Sequence, residues 1–183
     1  MWEWLGEPLA VDFANTTKRR GAEARECLRS GADVAEWARL QAGRVPRVAA
    51  ADAHARLGEL IALRDAVATV LRARVDARGR SIARDLAGAT ARVNAAARAV
   101  PIVAQLRGAA VVAEPAAAAD PLDELLARVA AATIELVGGD DFVGFCDAPS
   151  CGQFFAGGRA GRLWCSDACG TRARVARHAH RHA

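Results

Sequence analysis

Residues Cys146 to Arg172 read CDAPSCGQFFAGGRAGRLWCSDACGTR and hold four of the chain's five cysteines. The spacing is Cys146-x4-Cys151, thirteen residues, then Cys165-x3-Cys169. Two close pairs of thiolates suit one tetrahedral soft ion, and Zn²⁺ held by four sulfurs at about 2.3 Å keeps no open position for chemistry. The stretch is therefore read as a structural zinc site, one ion per chain, with Cys146, Cys151, Cys165 and Cys169 as ligands. Two other uses of the cysteines fit less well. Paired disulfides need an oxidising compartment, and the start MWEWLGEPLAV lacks the basic, apolar and small-residue segments of a secretory leader. A four-cysteine iron–sulfur cluster matches the ligand count but not the ferredoxin spacings. Phe154, Phe155 and Trp164 flank a turn at Gly157 and Gly158 and look like a miniature core for a short hairpin. So few residues cannot bury a self-sufficient core, so metal binding must supply much of the folding free energy here.

Just beyond the third cysteine, Ser166 and Asp167 open a helix with Cys169 in its first turn. At about 100° per residue, Arg174, Arg177 and Arg181 gather on the face away from Cys169, while Arg172 falls on the ligand's side and is expected to pack inward between the finger and the rest of the chain. The charge distribution singles out the same segment. From Gly144 onward six arginines face only Asp147 and Asp167, which accounts for the whole formal charge of +4; the remainder balances nineteen basic against nineteen acidic residues. A neutral body with a basic end suggests an anionic partner for that end, the other reading being a solvated basic tail with no partner. Arg159 and Arg162 on the finger loop, with Arg174, Arg177 and Arg181, are the candidate nucleic-acid contacts.

CGQFF, WCSDACGTRAR and, near the front, PLAVDFANT carry a resemblance to the bacterial CGNR zinc-finger proteins, in which an all-helical ABATE domain precedes the finger. The likeness spans nearly the whole chain, with Thr171 where the family's name-giving asparagine would stand. The family is described as stress-induced transcription regulators. What the resemblance implies is DNA binding in the cytoplasm, with a helical half that senses a small-molecule effector or forms a homodimer.

Working forward from the start, Pro8 to Thr16 reads as a short helix, and Thr17 to Arg29 as a polar loop or loosely formed helix. Cys27 is a lone cysteine, taken as a small, partly buried residue. Ser30 with Asp33 caps a helix through Leu40. The longest helical pattern runs from about Val48 to Arg78, and Arg64 falls inside its apolar stripe. A buried arginine without a partner is costly, so either a carboxylate or a bound ligand meets it, with Asp12 in the front motif the expected partner, or it snorkels to the rim. Asp12, Asn15 and Arg64 are thus the candidate ligand pocket or buried ion pair. Ser81 caps a further helix to about Ala99. PIVAQLRGAAVVAEP reads as a small hairpin around Arg107 and Gly108 or equally as an irregular packed loop, and Asp120-Pro121 starts a helix that ends at Gly138 and Gly139.

The expected fold is mainly α: a helical domain over 1–141 with a small β-hairpin, then a zinc finger of hairpin and helix over 142–183. No run of eighteen apolar residues is present, so no membrane span is expected. There is no phosphate-binding glycine loop, dinucleotide fingerprint, zinc-protease helix or nucleophile elbow, and the chain is read as not an enzyme. Two functions remain. One is a transcription regulator that binds DNA through the zinc-stapled basic helix; the other is a ligand-binding or protein-interaction module whose finger is purely structural.

Overall fold

The computed structural model describes residues 6–20, 23–76, 85–157 and 161–181. In chain order these form α1 (Leu9–Ala14), β1 (Thr17–Arg20), β2 (Glu23–Glu26), α2 (Gly31–Leu40), α3 (Ala50–Ala55), α4 (Leu57–Asp76), α5 (Leu86–Ala99), β3 (Ile102–Arg107), β4 (Ala110–Pro115), α6 (Pro121–Gly138), β5 (Val143–Phe145), β6 (Phe154–Ala156) and α7 (Asp167–Arg181). The fold is mainly helical, and each pair of successive strands makes its own two-stranded antiparallel sheet.

Caps explain where the helices begin. The Ser30 hydroxyl accepts from the Asp33 N–H at the start of α2, and Asp120 accepts from the N–H groups of Leu122 and Asp123 at the start of α6, with Pro121 in the first turn. Such caps satisfy donors that no helical carbonyl reaches. The expected cap Ser81 lies outside the described residues; α5 instead starts after Asp85, whose carboxylate accepts from Gly88 N–H.

The long helix expected from Val48 is broken at Arg56 into α3 and α4, because its two parts serve different neighbours. α3 lies against α2, so closely that a Cβ on Gly31 would sit 1.9 Å from the Ala50 carbonyl oxygen. α4 packs instead against α1, α5 and α6. At the break Arg56 binds Glu59 and Asp123, both at 2.7 Å, tying the start of α4 to the start of α6.

Every residue of α1 is buried, with the Phe13 ring 5.1 Å from that of Trp37 on α2. Around it Leu60, Val67 and Leu71 of α4 and Leu122, Leu125 and Val129 of α6 complete the core. Val143 of β5 and Phe154 of β6 belong to this same core, so the hairpin that begins the finger is also a wall of the helical body. Within Thr17 to Arg29, expected as loop or helix, β1 pairs antiparallel with β2, Thr17 opposite Glu26 and Arg20 opposite Glu23. TKRR and EARE have no apolar alternation to announce these strands. No helix among the described residues is long and apolar enough to cross a membrane.

Candidate metal centre and basic helix

Two tight turns build the metal centre. The first runs from Cys146 to Gly152 and is closed by hydrogen bonds from Gly152 N–H to Cys146 O (3.1 Å) and from Cys151 N–H to Ala148 O (3.0 Å), with Ser150 and Gly152 at positive φ. The second places Cys165 before α7 and Cys169 in its first turn, with Cys169 N–H donating to Ser166 Oγ at 3.3 Å. Together they bring the four Sγ atoms within 4.8 Å of one another. Cys151 and Cys165 are 3.6 Å apart and Cys165 and Cys169 3.4 Å, while a zinc tetrahedron with bonds of about 2.3 Å has sulfur–sulfur edges of roughly 3.8 Å. All five cysteines are free thiols, and Cys27 takes no part in the cluster.

The electrostatics agree with a cation site. Burial pushes the Cys165 thiol up to about 11 and Cys151 higher still. Burial also works upward on Cys169, but hydrogen bonds with Ser166, Cys165 and Arg172 outweigh it and bring that thiol down to about 7. A divalent ion relieves this crowding by displacing the thiol protons. The donor set is all sulfur and largely buried, which fits one structural zinc bound by Cys146, Cys151, Cys165 and Cys169.

Around the cysteines lies a small core of its own: Ala148, Phe155 and Ala173 are buried with them, and Phe142 and Trp164 pack alongside. A Cβ at Gly144 would meet the Phe155 ring at 2.3 Å, so this cross-strand position tolerates only glycine. Phe154 points the other way, into the helical body, because neighbouring strand residues face opposite sides. The sequence reading of Phe154 and Phe155 as one miniature core is therefore corrected; they serve two cores.

Docking of the hairpin onto the helical body is polar as well as apolar. The Asn15 carboxamide donates from Nδ2 to Phe154 O and accepts at Oδ1 from Phe154 N–H, both at 2.9 Å and buried. Glu7 Oε2 accepts from Ala156 N–H at 2.8 Å. From α4, the Arg72 guanidinium lies 4.1 Å from the Phe145 ring centroid and Arg74 donates to Gly139 O. None of Glu7, Arg72 or Arg74 was singled out by sequence, since nothing local marks partners so distant along the chain.

The expected grouping of Asp12, Asn15 and Arg64 does not form. Arg64 is buried at 4% exposure, but it meets Glu26 at 2.6 Å and Asp65 at 2.7 Å, not Asp12. The cause is the unforeseen β1–β2 hairpin, whose end carries Glu26 to α4. Asp12 pairs with Arg44 at 2.9 Å and also accepts from Gln41, a fully buried residue of the α2 C-cap. Burial raises the Asp12 carboxyl above its usual range, against the lowering effect of its bonds to Arg44 and Gln41. Asn15 is committed to Phe154.

On α7 the structure corrects one expectation and divides the rest. Arg172 is exposed and donates to Cys169 Sγ at 2.9 Å, so its place on the ligand's side of the helix brings it to the cluster and not to an interdomain contact. Ala173 and Cys169 are the α7 residues buried in the cysteine cluster's core. Arg162 braces the finger: it donates to the carbonyls of Trp164 and Cys165 and lies 4.8 Å from the Phe155 ring centroid. Arg174 and Arg177 are exposed and bond only to Thr171 Oγ1 and Ala173 O in their own helix; among the described residues neither has a carboxylate partner. Arg181 ends α7, and Arg159 lies outside the described residues.

The family model ABATE, described as "Putative stress-induced transcription regulator", matches residues 7–140, and the CGNR zinc finger model matches residues 143–182. No curated protein matches the chain.

Proposed function

Because the chain belongs to the ABATE family and ends in a CGNR zinc finger, we propose that it is a non-enzymatic transcription regulator whose α7 lies against DNA phosphates, with zinc fixing that helix on the protein. The observation that carries this reading is the outward pair Arg174 and Arg177, cations without a carboxylate partner among the described residues, at the basic end of an otherwise neutral chain. Arg181 is the third arginine that helical periodicity in the sequence assigns to that face. Arg162 is left out, since its guanidinium braces the finger's carbonyls. The helical body is proposed as the regulatory half, where an effector or a second copy acts in the cytoplasm.

Binding of the zinc-loaded protein to duplex DNA over a salt series tests the reading. Three phosphate contacts release condensed counterions and give a slope of log affinity against log salt of about −2.7. Arg177→Ala should weaken all sequences alike and reduce the slope by about one. Arg172→Ala should leave the slope unchanged while weakening the metal site. Absence of binding at low salt, or binding indifferent to salt, rejects the proposal. The second reading is a protein-interaction module with a purely structural finger. What favours it is the β3–β4 ribbon, where Leu106 and Val111 sit opposite each other and stand 75% and 71% exposed.

A further inference from the structure

The outer edge of β6 is covered by side chains of the helical body. Cys146 N–H donates to Gln153 O and Gly157 N–H to Phe142 O, both at 2.8 Å, so in the alternating antiparallel pattern Phe154 and Ala156 turn their backbone groups away from β5. An edge strand left in this state offers open donors and acceptors. Here Asn15 takes both the N–H and the C=O of Phe154, standing in for a residue of a third strand, and Glu7 takes the N–H of Ala156. Glu7 is anchored in turn: its N–H donates to Asp12 Oδ1, and its carbonyl accepts from Arg44 Nη2.

The same hairpin is continuous with the metal ligands. Cys146 follows β5 directly, its N–H makes the rung to Gln153, and Cys151 stands two residues before Gln153. Whatever holds the turn from Cys146 to Gly152 therefore sets the register in which Phe154 and Ala156 are presented to Asn15 and Glu7. We propose that Asn15, supported by Glu7, is a positioning residue that couples the four-cysteine site to the helical body, so that zinc binding and docking of β6 form one linked equilibrium. Coupling of this kind is reciprocal: if zinc favours docking by some factor, docking strengthens zinc binding by the same factor. The inference concerns the finger's attachment and does not depend on what α7 contacts.

The test uses the full-length protein. Zinc affinity is measured by competition with a chromophoric chelator, and unfolding of the helices is followed by far-UV circular dichroism with zinc and after chelation. In the wild type, removing zinc should lower the melting temperature of the helical body. Asn15→Ala should weaken zinc binding by about tenfold, as expected for a buried residue that loses two hydrogen bonds, and should shrink the zinc-dependent shift in melting. Val93→Ala, a core change on α5, is the control for general destabilisation: it should lower the melting temperature and leave zinc affinity unchanged. If Asn15→Ala fails to fold, amide exchange of the wild type decides: chelation should strip protection from the Phe154 and Ala156 amides. An unchanged zinc affinity in folded Asn15→Ala, a wild-type helical melt indifferent to zinc, or Phe154 protection that survives chelation would each overturn the proposal.

Discussion

The β3–β4 ribbon has strands of six residues in full register, yet Leu106 and Val111 at its end are 75% and 71% exposed; β5–β6 has strands of three residues and neither face open to water. An isolated pair of strands is marginal in water whatever its length. The shorter hairpin is the better held because both faces and its outer edge are occupied: Phe155 on the cysteine cluster, Phe154 in the helical core, and Asn15 and Glu7 along the edge of β6. Each buried phenylalanine contributes about 1.5–3 kcal/mol relative to an exposed one, as much as two ladder hydrogen bonds at about 0.5–1.5 kcal/mol each. In this chain strand order comes from what surrounds a hairpin, not from its own pairing.

The contrast is broken most severely by removing the metal. Cys165→Ser should abolish stoichiometric zinc and disorder residues 142–157, because structural zinc contributes about 10–16 kcal/mol in zinc-finger peptides near neutral pH. Helices α2, α4, α5 and α6 should persist, and the β3–β4 ribbon should not respond. Metal analysis with amide exchange checks this, and retention of one zinc per chain by the variant would contradict it.

Next in size is the separation of the hairpin's two faces. Phe154→Ala should cost about 3–5 kcal/mol, the usual range for emptying a buried aromatic site; the loss should fall mainly on the thermal stability of the helical body, with a smaller weakening of zinc binding through the undocking of β6. Phe155→Ala should cost a similar amount but show chiefly as faster zinc loss to a chelator. Equal effects of the two on zinc release would mean that the hairpin does not divide its faces as described.

The smallest effect is expected on the ribbon. Leu106→Ser combined with Val111→Ser should change stability by no more than about 0.5 kcal/mol, since both side chains already meet water. A larger loss that depends on protein concentration would instead show that a second copy covers this face.

How far the sequence carried depends on where each partner lies. The four cysteines, the caps Ser30 and Asp120 and the β3–β4 hairpin are local patterns, each complete within a few residues. Arg64 was readable as buried because its stripe on α4 is local, but Glu26 was not readable as its partner: it arrives on strands whose residues, TKRR and EARE, have no apolar period. That missing hairpin also left Asp12 as the apparent partner. Asn15 caps the end of α1, but that its side chain reaches Phe154, 139 positions away, is a property of the fold. Phe154 and Phe155 held a usable hint, since neighbours on a strand face opposite ways and one small core could not take both.

The central claim is that β5–β6 is a shared wall, stiffened from both sides, and amide hydrogen exchange on the zinc-loaded full-length protein tests it most directly. The Phe154 and Ala156 amides, which no strand pairs, should exchange as slowly as the buried helical amides of α4 and α6, and far more slowly than those of Leu106 and Val111 in the longer ribbon. Exchange of Phe154 and Ala156 at the ribbon's rate would contradict the account.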